Sequence, residues 1–280
     1  MARPHIEFIH AQDLEWQTGL LPEPLANIEC KLLSRDDETG ACSAILKYPK
    51  GWSSLDAQHF SADHEFMILD GAMDLNDQHY QFDSYGYLPA GLTHANWKTD
   101  DGAVVLTFFS ATPASALGPG NMTEDAIPYL YLHDMQWTSA DVDPDLDFLR
   151  IAHKILRKNE TSGETTMILN CGAQSHPTDW AEAALAHPCV EEMFLLSGDI
   201  IGERGVMNAG SYFWRPPHIW HGPFGSRNGN LCLIRFMEGN HVNIWGEEKL
   251  PFSLTPEYSL DLPDDLAALK NKPFSPPTPY

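Results

Sequence analysis

The chain has 280 residues, 43% of them hydrophobic, with 8 Trp, 13 Phe and 9 Tyr; this excludes a disordered chain and leaves one large domain or two of ordinary size. Its 39 acidic residues against 17 Lys and Arg give a formal charge of −22, a field that repels nucleic-acid backbones and anionic lipids, so neither partner is expected. No apolar run approaches the roughly 20 residues that span a bilayer, the N-terminus lacks an apolar signal core, and five scattered cysteines form no CxxC pair, so the expectation is a soluble, reduced, cytoplasmic protein.

In chain order, the apolar runs read as short strands: "GACSAILKY" (40–48), "EFMILDGAMDL" (65–75), "GAVVLTFF" (102–109), "ETTMILN" (164–170), "EMFLLSGDI" (192–200), "SYFWRP" (211–216) and "LCLIRF" (231–236). They are rich in β-branched and aromatic residues, and Gly, Pro, Asn or Asp bounds most of them. Strands at this spacing predict a sandwich, jelly roll or barrel in each half. Helical candidates are confined to "SADVDPDLDFLR" (139–150) and "DLPDDLAALKNK" (261–272), and the Pro-rich tail "KPFSPPTPY" reads as an extended arm.

The halves repeat one another. Gly71 and Gly198, Pro89 and Pro216, His94 and His221, Gly102 and Gly229, and Phe109 and Phe236 are each separated by 127 residues. His59 and His187 are 128 apart, and Gly40 and Gly163 are 123 apart, which places the length differences in loops. The repeat predicts two tandem domains, 1–125 and 126–280.

Ligand-capable residues fall on the repeated positions. His187 and Glu191 precede a strand and His221 follows the next Pro-Pro turn; His59, His64 and His94 stand at the matching places, with His64 opposite Glu191. Each trio is either a set of polar residues at strand ends or a metal site. Imidazole and carboxylate suit divalent first-row metals, and two His with one carboxylate leave coordination positions open.

Each half resembles a cupin and the whole resembles a bicupin. His187, Glu191 and Gly198 match the second His, the Glu and the Gly of the first cupin motif, and "PPHIWH" (216–221) matches the later Pro-x-Gly-x-x-His segment with His218 in place of glycine. In the first half "PAGLTH" (89–94) matches that segment fully, with His59 and Gly71 in place. The first His of the motif is absent from both halves, where Ala57 and Leu185 stand. The resemblance implies an all-β chain of two tandem jelly-roll barrels with short flanking helices. It implies a three-His set (His59, His64, His94) in one barrel and a two-His–Glu set (His187, Glu191, His221) in the other. The second half is most similar to the cupins of metal-binding anti-sigma factors; three-His cupins are similar to those that cleave β-diketones with Fe(II) and oxygen.

The function expected from the resemblance is a metal-dependent dioxygenase acting on a small carbonyl-containing or aromatic compound. The implied ion is Fe2+, with Zn2+, Mn2+, Ni2+ and Cu2+ as alternatives, and Glu191 is a candidate base. A metal sensor without turnover, or a non-oxidative isomerase, lyase or cyclase, are the competing readings. Tyr212, Trp214, His218 and Arg235 are candidate substrate contacts; the aromatic pair fits barrel core as well, and an arginine such as Arg215 or Arg235 fits a structural ion pair. A monomer and a homodimer are both compatible with two cupins in one chain.

Overall fold

A computed structural model describes residues 3–121, 125–174, 176–177, 179–272, 274 and 280. The chain divides into two compact units, one built from Leu14–Met135 together with Arg3 and the other from Pro4–Asp13 with Gln136–Tyr280. The division thus lies at 135/136, not 125/126, and residues 4–13 belong to the second unit, because their strand hydrogen-bonds into its sheet.

The principal strands are β1 (Ile6–His10), β2 (Glu29–Arg35), β3 (Cys42–Tyr48), β4 (His64–Leu75), β5 (Ser84–Leu88), β6 (Ala103–Phe109), β7 (Ile127–Tyr131), β8 (Ala152–Lys158), β9 (Thr165–Cys171), β10 (Val190–Gly202), β11 (Ser211–Arg215) and β12 (Asn230–Met237). The main sheet of the first unit runs β7-β5-β4-β6-β3-β2, and that of the second runs β1-β11-β10-β12-β9-β8. The orders correspond position by position, except that the N-terminal β1 takes the edge that β7 takes in the first unit. Gln58–Phe60, Thr93–His94 and Ser115–Leu117 form a smaller sheet in the first unit; Ala181–Ala186 pairs with Ile244–Pro251 in the second. The result is the expected all-β pair of jelly rolls.

The repeated glycines explain part of the register. Gly71 (φ 70°) and Gly198 (φ 78°) sit in left-handed conformations, where a Cβ would lie 2.2 Å from the Gly102 carbonyl oxygen and 1.9 Å from that of Gly229. Only glycine lets the long central strand bend against its neighbour at that point.

The helical stretches shorten to 3-10 turns at Pro144–Leu149 and Asp264–Leu269. Pro144 forces Asp143 out of the helical region (ψ 122°), and the Asp143 side chain accepts from Asp145 N at 3.0 Å, so the turn starts late. Most of the Pro-rich arm lies outside the described residues. Among the described residues no helix is long and apolar enough to cross a membrane.

The two barrels differ inside. The first is filled by an apolar core that includes Tyr48, Phe60, Phe66, Tyr80, Trp97 and Phe109. The second has a smaller cluster around Phe8, Met193, Leu195, Phe213 and Ile234 and encloses a cavity of about 390 Å³.

Candidate metal centre

The alternation of β10 sets the site. Glu191 and Met193 point into the cavity, while Glu192 points the other way, so a single run carries one carboxylate to each face. Glu191 lies opposite Arg215 on β11 and opposite Phe236 on β12. His187 opens the short connection before β10, and His221 is fixed by a backbone bridge to Leu185 with both hydrogen bonds at 2.9 Å.

His187, Glu191 and His221 are buried, with one donor atom from each within 4.8 Å of the others, and they are the only such group of three among the described residues. Glu191 Oε1 lies 3.9 Å from His187 Nε2, and Oε2 lies 3.5 Å from His221 Nε2. Each imidazole donates its Nδ1–H to a backbone carbonyl, His187 to Val242 O at 3.1 Å and His221 to Ile219 O at 2.9 Å. A carbonyl only accepts, so both rings turn an Nε2 lone pair toward Glu191. Two imidazole nitrogens and a carboxylate with their rear atoms so anchored fit a divalent first-row ion.

The electrostatics keep the donors in ligating form. Burial alone would raise the Glu191 pKa, but the proximity of His221 and of the Arg215 guanidinium outweighs it and holds the carboxyl at about 2. Burial, helped by repulsion from Arg215, lowers His221 to about 4, so its ring is neutral at pH 7. Arg215 donates from Nη1 to Glu191 and from Nη2 and Nε to Glu7 of β1, at 2.9, 2.6 and 3.4 Å. The Cys171 and Cys232 thiols also line the cavity; burial pushes Cys171 up to about 12 and Cys232 well above its ordinary value, which makes both inert as nucleophiles.

The other candidate residues fall elsewhere. In the first barrel, His94 donates from Nδ1 to Leu92 O at 3.1 Å, so its Nε2 accepts the Nδ1–H of His64 at 3.0 Å. The lone pair that a metal would need is spent on that bond. His59 turns its Nδ1 to Gly118 O at 3.3 Å, and the structure does not bring His59, His64 and His94 together as a ligand group. The 127-residue repeat thus preserves position but not arrangement: Phe60, Phe66, Trp97 and Phe109 close around His64.

Of the substrate candidates, none lines the cavity. Tyr212 donates to Glu192 at 2.6 Å and Arg235 donates to the other Glu192 oxygen, both on the face of the sheet turned from the cavity. Trp214 shares that face by alternation, and His218 is exposed in a left-handed turn (φ 65°) at the position where the cupin pattern has glycine. The Tyr–Glu bond is itself repeated, since Tyr85 donates to Glu65 at 2.6 Å. His176 stacks on Trp180 at 3.8 Å, away from the donor trio. Two neighbours of the site escape sequence reading. Glu7 lies 208 residues from the arginine it binds, and His241, which stacks on Phe236 at 3.8 Å and meets His187 edge-on at 4.7 Å, stands in a segment without any motif.

A family model described as a domain of unknown function, DUF4437, matches residues 7–243. The chain belongs to the DUF4437 family. No protein of curated function matches its sequence. Among solved structures, this DUF4437 chain is similar to a protein of Nostoc punctiforme described as a "putative dioxygenase", with a TM-score of 0.72 at 19% identity over 90% of this chain and 92% of the other. It is also similar to an oxalate decarboxylase of Bacillus subtilis, with a TM-score of 0.55 at 9% identity over 85% and 79%. A further structure of that enzyme, described through its Mn(II) centres, gives a TM-score of 0.53 at 10% identity over the same shares. At such identities the likeness establishes the bicupin fold of the DUF4437 chain. It shows the fold alone and does not show the narrower anti-sigma resemblance.

Proposed function

We propose that the protein is a metal-dependent bicupin enzyme of the dioxygenase class, with its reaction centre in the second barrel and Fe2+ as its ion. The observation that carries this reading is the convergence of His187, Glu191 and His221 on the wall of a largely apolar cavity. When bound there, a divalent ion supplies Lewis acidity, a template for substrate oxygens and, as Fe(II), reactivity toward dioxygen. The chain's own groups do the rest. Two imidazoles and one carboxylate leave positions open for a bidentate substrate such as a β-diketone. Arg215 keeps Glu191 ionised and immobile, so the carboxylate serves as a ligand and not as a base. Met193, Phe213 and Ile234 wall the cavity and exclude water from reactive groups. The Nostoc likeness supports dioxygenase chemistry; the Mn(II) of the decarboxylase makes manganese the second ion to try.

The test is metal analysis of protein purified without added metal, followed by oxygen-uptake assays with β-diketones and hydroxylated aromatic ketones after Fe(II) loading. Stoichiometric uptake with cleavage supports the proposal. Tightly held zinc with no oxygen consumption on any candidate overturns it.

A further inference from the structure

Trp16 and Trp137 stand at equivalent places in the two units. Each precedes a residue bridged to a strand, Gln17 to Cys30 and Thr138 to His153, and the lysine after that strand residue lies over the indole. In the first unit two ammonium groups cover the ring, Lys31 Nζ at 4.9 Å and Lys47 Nζ at 5.4 Å from its centroid. In the second unit Lys154, 123 residues after Lys31, stands at 4.5 Å, but the residue 123 places after Lys47 is Asn170. The indole loses its second cover, and Trp137 is 44% exposed while Trp16 is half-buried.

Trp137 borders a cleft of about 580 Å³ that is lined also by Asn170, Ser197 and Asn228. Of its described lining residues, Cys171 and Asn230 also line the cavity of the donor trio, and the rest belong to the cleft. The charges that the first unit carries at these places are gone. Lys50 and Asp101, an ion pair at 2.7 Å, become Ala173 and Asn228, and Asp70 becomes Ser197. No Asp, Glu, Lys, Arg or His lines the cleft among the described residues. Gly198 and Gly229, which the bend of the central strand requires, leave bare backbone between the polar side chains.

The polar groups are within reach of a ligand. Ser197 and Asn228 are exposed and Asn170 is half-buried. Asn170 donates from Nδ2 to Asn230 O at 3.1 Å, which leaves its Oδ1 to accept, and Asn228 Nδ2 makes a long contact of 3.5 Å to Asp199 Oδ2. An indole surface ringed by neutral amides and a hydroxyl matches a sugar ring, whose C–H face is apolar and whose hydroxyls both donate and accept. A nucleotide or an acidic ligand would bring charge into a chain of −22 and meet no cation in the lining.

We propose that this cleft is a carbohydrate-binding site, in which an uncharged pyranose ring stacks on Trp137 and its hydroxyls bond to Asn170, Ser197 and Asn228. The site is separate from the donor trio and stands whether or not the second barrel holds a metal.

The experiment uses the full chain, titrated calorimetrically with the methyl glycosides of glucose, galactose, mannose and N-acetylglucosamine, with the matching methyl uronides and with adenosine monophosphate. At least one neutral glycoside binds with a dissociation constant of about 1 mM or below, and its uronide binds at least about tenfold more weakly. Trp137→Ala weakens the glycoside at least about tenfold, Asn228→Ala does so with the indole in place, and Trp16→Ala leaves binding unchanged. Saturation-transfer NMR places the strongest enhancements on the C–H face of the sugar, and these vanish in Trp137→Ala. Urea midpoints confirm that each variant is folded. Absence of binding by every neutral glycoside, binding that survives both Trp137→Ala and Asn228→Ala, or tighter binding of adenosine monophosphate than of any glycoside overturns the proposal.

Discussion

Arg215 on β11 donates to Glu191 on β10 across 2.9 Å, both side chains nearly enclosed, while its other edge is held by Glu7 from the N-terminal strand. A ligand carboxylate is thus oriented by a cation that is itself oriented from the far end of the chain. Replacing Arg215 by Gln leaves Glu191 without that partner. Metal affinity is expected to fall about 10- to 100-fold, and the second unit to lose about 3–5 kcal/mol. Chelator competition and urea unfolding measure the two effects. Arg235→Gln is the control: it disturbs Glu192 on the opposite face and leaves metal affinity at the wild-type level.

One metal ion per chain is the expected stoichiometry. His221→Ala abolishes binding, because the trio loses a donor that no described neighbour replaces in the same group. His94→Ala changes nothing in metal content, since its Nε2 is engaged by His64. Two ions per chain by plasma emission spectroscopy, with one lost on His94→Ala, would contradict the arrangement of the first barrel.

The first barrel is acid-sensitive through that same histidine pair. Burial lowers His94 to about 4, and burial with His94 nearby lowers His64 well below its ordinary value. A folded-state pKa below the unfolded one means that the unfolded chain binds the proton first. Stability is therefore complete above pH 6.5 and lost as pH falls through 4, with about 3 kcal/mol from His94. Denaturant midpoints of the first unit at pH 7.5 and 5.0 test this, and His64→Phe flattens the dependence. The buried carboxylates follow a lower window: Glu7 and Glu191, held at about 2, add stability above pH 4.5 that is lost toward pH 2.

Removing residues 1–13 deletes both an edge strand of the second sheet and the carboxylate that braces Arg215. The second unit of such a chain is expected to unfold at lower denaturant than in the full chain, with weaker metal binding. Glu7→Gln keeps the strand and isolates the charge: it lowers metal affinity less than the truncation does.

The strands, the repeat and the donor trio were legible because each leaves a local mark. Gly71 and Gly198 keep a fixed offset since backbone crowding against Gly102 and Gly229 permits nothing else. His187 and Glu191 stand four apart at the mouth of a strand and are completed by a histidine after a proline turn. What escaped the sequence depends on direction and distance. Tyr212, Trp214 and Arg235 looked like pocket walls because alternation does not say which face is inside. The first-barrel histidines keep their places, and only the hydrogen bond between His64 and His94 shows that they are not arranged as in the second barrel. Glu7 has no local signature, since its partner is set by which strand takes the open edge of a sheet.

That edge also dictates an order of events during synthesis. Residues 6–10 are synthesised well before their partners at 211–214, which follow some two hundred residues later, a delay of about 10–40 s at ordinary elongation rates. The first unit is complete by residue 135 and closes while β1 still waits. That pairing closes a loop of some two hundred residues, so it forms late. The ion-pair brace on Glu191 is assembled only then, so the arrangement of the candidate donor trio is completed late in folding.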